Sequence, residues 1–107
     1  MPTIFFIMQK LGVIRLPRLF RIGQYVIFFW SNENNEPIHV HISVSNPTPN
    51  ATKVWLTKNS GCIVANNQNK IPQKDLTNLL RIIQAEFVFI CNEWKVFFDT
   101  DTIKFYC

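Results

Sequence analysis

Residues 38–45 alternate strictly, with Ile38, Val40, Ile42 and Val44 on one side and His39, His41, Ser43 and Ser45 on the other. A period of two held over eight residues is the pattern of a strand with one apolar face. Ahead of it, Gln24-Tyr25-Val26-Ile27-Phe28-Phe29-Trp30 is β-branched and aromatic on both faces, which predicts a central strand covered on both sides. The polar stretches 31–37 and 46–50 are dense in turn formers and read as loops. Thr52 to Thr57 predicts a third strand and Gly61 to Ala65 a fourth, joined by a short hairpin link. Ile103 to Cys107 is apolar enough to add a short final strand.

The period changes after Pro72. Leu76, Leu80, Ile83, Phe87, Ile90, Trp94 and Phe97 are spaced alternately four and three residues apart, one apolar face held for about six helical turns. Pro72 suits a first turn, where its missing N–H is not needed, and Asp75 suits the positive end of the helix dipole. Val88, Phe89 and Cys91 widen the stripe, so the second half of the helix is either deeply buried or touches another chain. The fold expected is therefore α+β: a single domain in which an antiparallel sheet of four to five strands packs on one long C-terminal helix. Residues 1–16, broken by Gly12 and followed by Pro17, read as an N-terminal extension to a domain spanning 17–107.

A length of 107 residues suits one domain. A hydrophobic share of 48% with 17% charged residues argues against intrinsic disorder and leaves apolar surface for a partner. The net charge of +4 is compatible with nucleic acid or an acidic protein, and equally with plain solubility. Three cysteines, Cys62, Cys91 and Cys107, form no CxxC pair and leave one odd, which points to reduced thiols and a cytoplasmic location. The longest unbroken apolar run, Tyr25 to Trp30, is six residues, where a spanning helix needs about 20. The apolar start lacks the basic residues and cleavage site of a signal peptide.

The candidate chemistry centres on His39 and His41, the only histidines, side by side on the polar face of one strand. Their Cβ atoms fall roughly 6–7 Å apart by strand geometry. As a catalytic pair they suit acid–base work on a phosphodiester, one imidazole accepting a proton and the other donating. A metal site would need a third ligand such as Glu33 or Glu36 from the preceding loop. With no third histidine and no cysteine at ligand spacing, neither a metal nor another cofactor is expected. The competing structural reading has both rings bonded to neighbouring strands or loop carbonyls.

Lys53, Trp55 and Thr57 share one face of the third strand, and Lys53 and Trp55, with Arg81 on the helix, are candidate nucleic-acid-binding residues through phosphate pairing and base stacking. The alternative for Trp55 is packing against the helix. Lys70, Lys74, Arg81 and Lys95 are expected on the solvent side of the helix region. Cys62 beside Gly61 reads as a small buried hydrophobe rather than a nucleophile. Three scattered glycines exclude a phosphate loop, and no HExxH or nucleophile elbow is present.

The run Phe20-Arg21-Ile22-Gly23-x-Tyr25-Val26-Ile27-Phe28-Phe29-Trp30-Ser31-Asn32-Glu33, followed by Glu36-Pro37-Ile38-His39-Val40-His41-Ile42, resembles a bacterial family of small proteins, domain of unknown function 4160. Ala51 to Leu56, Lys70-Ile71-Pro72-x-Lys74-Asp75-Leu76, Glu93-Trp94 and the closing Ile103 to Cys107 extend the resemblance over about residues 17–107. Relatives often carry a further histidine near the position of Asn34 or Asn35, and tend to start close to Pro17. The resemblance implies a small α+β domain, often encoded beside a protein of the unknown-function 2442 family and associated with toxin–antitoxin pairs.

The function expected is thus a toxin component of a bacterial toxin–antitoxin module acting on RNA or translation, with a small antitoxin-like protein as partner. RNA is a second partner, a homodimer is compatible with the chain, and no membrane is expected. Whether the protein is an enzyme stays open. The alternative is a non-catalytic protein-interaction module, either the partner-binding half of a two-gene system or an anti-defence protein of a mobile element. A metal-dependent enzyme is the third reading.

Overall fold

A computed structural model describes residues 18–107 other than Asn34. The N-terminal extension expected at 1–16 lies outside these residues. The elements run β1 (Arg18–Ile22), β2 (Tyr25–Phe28), β3 (His39–Val44), β4 (Thr52–Leu56), β5 (Cys62–Asn66), α1 (Gln73–Ala85) and α2 (Phe87–Phe97). The five strands form one antiparallel sheet in chain order, β1-β2-β3-β4-β5. Each connection is a local hairpin or loop, so no strand has to cross another. The α+β class and the antiparallel sheet are as the patterning predicts.

The fifth strand is not where the C-terminal pattern predicts it. Arg18–Ile22 pairs with β2 through a tight turn at Gly23, whose φ of 57° suits a residue without a side chain. Residues 103–107 form no strand; they run beside the sheet, where the Lys104 and Cys107 carbonyls accept from the Ile38 and Lys58 N–H groups. Ile103 and Phe105 pack on the core, so the segment's apolar character goes into burial rather than strand pairing.

Alternation divides the sheet into two covered faces. Tyr25, Ile27, Phe29, Val40, Ile42, Val54 and Leu56 join Leu76, Leu79, Ile83, Ile90, Trp94 and Phe97 in the main core. Each fully buried Leu, Ile or Phe contributes about 1.5–3 kcal/mol. Val26 and Phe28 point the other way and pack with Ala51 and Trp30. The prediction that the second strand is buried on both sides therefore holds: all four residues of β2 are buried.

The expected single long helix is two. Glu86, at φ −101° and ψ 21°, leaves helical geometry between α1 and α2. Its N–H still reaches the Ile82 carbonyl and its own carbonyl accepts from Ile90, so the break is a kink rather than a loop. A straight helix from Gln73 to Phe97 would run about 37 Å, against about 20 Å for the six-residue β3. The kink redirects the second half, letting Ile90, Cys91, Trp94 and Phe97 bury where a straight extension would overshoot. It also leaves Val88, Phe89 and Val96 exposed on α2. Among the described residues no helix is long and apolar enough to cross a membrane.

Candidate functional site

His39 and His41 open β3 on the face opposite α1, paired in register with Trp55 and Lys53 of β4. Both are buried despite the polar character of that face: His39 is fully enclosed and His41 is 8% exposed. His39 lies between Trp55 and Trp94, with ring centroids at 5.4 and 5.6 Å. His41 stacks on Phe28 at 5.4 Å, its cross-strand neighbour on β2. The two imidazoles meet edge to face at 4.9 Å.

The loop between β2 and β3 turns back so that Glu33 lies over the histidine pair. Its backbone carbonyl accepts from the Glu36 N–H, which closes the turn. Its Oε1 accepts from the Trp30 N–H at 2.7 Å. Its Oε2 lies 2.8 Å from His41 Nε2 and 2.9 Å from His39 Nε2. One carboxylate oxygen is therefore shared between two imidazoles. Burial alone would push the Glu33 pKa up, but the two imidazoles beside it outweigh that and hold the carboxyl at about 2. Glu33 is an anion across the physiological range.

The two rings are held differently. His39 Nδ1 donates to the Pro37 carbonyl at 2.8 Å, which leaves Nε2 as the atom facing Glu33. That Nε2 is buried and, despite the 2.9 Å separation, has no aligned hydrogen-bond partner among the described residues. His41 Nε2 does hydrogen-bond Glu33, and its buried Nδ1 is the atom without a partner among those residues.

Two of the three candidate nucleic-acid residues adjoin this cluster. Lys53 Nζ is bound by Glu36 Oε1 at 2.7 Å and lies 4.2 Å from the centre of the Trp55 ring. Trp55 packs against Tyr106, nearly parallel at 4.9 Å, and against His39. Arg81 stands apart: it is exposed on α1, which covers the other face of the sheet. Lys70 and Lys74 are also exposed, and Lys95 is half-buried. Cys62 is half-buried with its thiol directed at the Leu80 carbonyl, and burial pushes its pKa up, as suits a packing residue. A cleft of about 150 Å³, lined by Glu36, Trp94, Phe98, Thr100, Thr102 and Lys104, adjoins the histidines through Trp94.

A family model described as Domain of unknown function (DUF4160) matches residues 25–95. The chain belongs to the DUF4160 family. The matched segment contains the complete Glu33–His39–His41 cluster as well as Lys53, Trp55 and Arg81. No curated protein and no solved structure matches the chain.

Glu36 and Glu33 read alike as third partners in the sequence; the fold gives Glu33 to the histidines and Glu36 to Lys53. The roles of Trp94 and Tyr106 carry no local signal. They come from a helix kink and a C-terminal segment that only the folded chain brings to this face.

Proposed function

We propose that this DUF4160 protein is the toxin component of a bacterial toxin–antitoxin module, acting in the cytoplasm on RNA or the translation apparatus through Glu33, His39 and His41. The observation that supports this reading most is the sharing of one buried carboxylate oxygen between two imidazoles. A group arranged in this way holds and moves a proton at a defined atom, as phosphodiester cleavage requires. His41 is the more exposed member and is the one that contacts substrate. His39, fully enclosed, acts through Glu33 as a positioning residue. Lys53 and Trp55 flank the approach, with Lys53 becoming available to phosphate when Glu36 releases it.

A second reading, the non-catalytic interaction module, draws support from Val88 at 69% exposure, with Phe89 next to it and Val96 about two turns further along α2 also exposed. Such a surface suits a protein partner. Induced expression separates the two readings. Wild type is compared with His41→Ala and with His39→Ala/His41→Ala, with folding checked by circular dichroism. Growth arrest abolished by folded His41→Ala supports chemistry at the centre. Arrest that persists in the folded double variant removes these residues from the mechanism, and absence of arrest in wild type favours the interaction module.

A further inference from the structure

We propose that His39 Nε2, His41 Nε2 and Glu33 Oε2 form a binding site for one divalent transition-metal ion of zinc's class. The ligand atoms lie within 4.8 Å of one another. The inference rests on the functional reading for the role of the metal, but not for its binding.

His39 carries the argument. Its Nδ1–H is committed to the Pro37 carbonyl, an atom that can only accept. In the neutral ring Nε2 then presents a lone pair, buried and without an aligned partner, 2.9 Å from a carboxylate oxygen. Two electron-rich atoms at that distance repel unless a positive charge joins them. Either a proton or a metal ion can supply it. A backbone carbonyl holding the far nitrogen of an imidazole is also the usual outer support of a metal-ligating histidine, since it fixes both tautomer and ring orientation. Glu33 has matching support, because the Trp30 N–H occupies Oε1 and leaves Oε2 directed at the histidines.

The donor set narrows the ion. Two imidazoles and one carboxylate suit zinc and its neighbours, whereas calcium and magnesium prefer oxygen alone. At a metal–ligand distance of about 2.1 Å, the two imidazole–carboxylate pairs, 2.8 and 2.9 Å apart, subtend close to 90°; a tetrahedral site would open them to about 3.4 Å. With three protein ligands, a fourth position remains for water. Zinc lowers the pKa of such a water to about 7, so the bound ion would supply a hydroxide to a hydrolytic reaction. The lack of a third histidine, which argues against a metal in the sequence, is answered by Glu33.

The test uses the purified full chain, stripped with chelator and titrated with Zn²⁺ against a chromophoric competitor at neutral pH. One equivalent is expected to bind, with no competition from a large excess of Mg²⁺. Binding should weaken at least tenfold in Glu33→Gln and be unchanged in Cys107→Ser. Histidine-ring ¹⁵N spectra of wild type, which need no variant to fold, should show the Nε2 resonances of both rings move on adding Zn²⁺ while His39 Nδ1 stays protonated. No zinc binding by the folded wild type overturns the proposal, and the cluster then holds a proton alone. Binding that leaves both Nε2 resonances unmoved, or that Cys107→Ser abolishes, also overturns it. Growth arrest that depends on His41 without zinc binding leaves the toxin reading standing and removes the metal; zinc binding without growth arrest does the reverse.

Discussion

His39 Nδ1 lies 2.8 Å from the carbonyl oxygen of Pro37, two residues before it. Pro37 has no N–H of its own, yet its carbonyl selects the protonation pattern of a fully buried imidazole two residues later. The Nδ1–H form is the only one that makes this bond. Histidine-ring ¹⁵N spectra of the chelator-treated protein at neutral pH should therefore place a proton on His39 Nδ1. A bare Nδ1 would contradict the assigned geometry.

Glu33 is the keystone of the loop between β2 and β3, and its side chain ties Trp30, His39 and His41 together. Glu33→Ala leaves the Trp30 N–H and two enclosed imidazoles without their carboxylate, and should cost about 2–4 kcal/mol of stability. Glu33→Gln keeps the shape and an oxygen for the Trp30 N–H, and should cost about 1–2 kcal/mol. Urea unfolding in the presence of chelator measures both. Losses below about 0.5 kcal/mol in both variants would mean that the loop is held by other contacts.

Tyr25 ties the sheet to α1, its hydroxyl donating to Asp75 Oδ2 at 2.6 Å. The hydrogen bond to Asp75, then burial, raise the phenol pKa above 10.0. The folded state therefore holds this proton more tightly than the unfolded chain. The resulting stability is present in full below pH 10.0 and is lost as pH rises through the folded value. Tyr25→Phe should cost about 1 kcal/mol at pH 7 and make the alkaline loss of stability shallower. An unchanged profile above pH 10.0 would show that the bond does not couple to folding.

The three thiols should differ sharply toward alkylation. Cys107 is exposed, Cys62 is half-buried and Cys91 is buried. Burial pushes the pKa of both Cys62 and Cys91 up, with Lys95 only partly offsetting it at Cys91. A maleimide at neutral pH should modify one thiol rapidly in the native protein and the other two only on unfolding. Cys107→Ser should remove the rapid phase; a rapid phase that remains would mean that Cys62 or Cys91 is reached in the fold.

Much of the fold is legible along the chain because alternation and helical spacing are local properties. The strict period of Ile38 to Ser45 places His39 and His41 together on one face before any contact is known, and β3 keeps that arrangement. The polarity of that face misleads about solvent, because burial depends on what covers a strand. Here the cover is Glu33 from a loop, Trp94 from α2 and the Trp55–Tyr106 stack. The stripe from Leu76 to Phe97 predicts helix correctly but not the kink at Glu86, since periodicity cannot state how long a helix the sheet accommodates.

The residues alone determined the class of fold, most of the strands, the apolar helix stripe and the histidine pair, all of which follow from side-chain type at short separation. Only the tertiary structure decided that Glu33 rather than Glu36 closes on the histidines, that Lys53 is neutralised by Glu36, and that Arg81 belongs to another surface. Those outcomes depend on the path of a loop and the register of β3 against β4. Two carboxylates three residues apart look equivalent in sequence. In the fold, the Trp30 N–H holds one of them, Glu33, to a single orientation against His39 and His41, while the Pro37 carbonyl fixes the His39 ring that faces it.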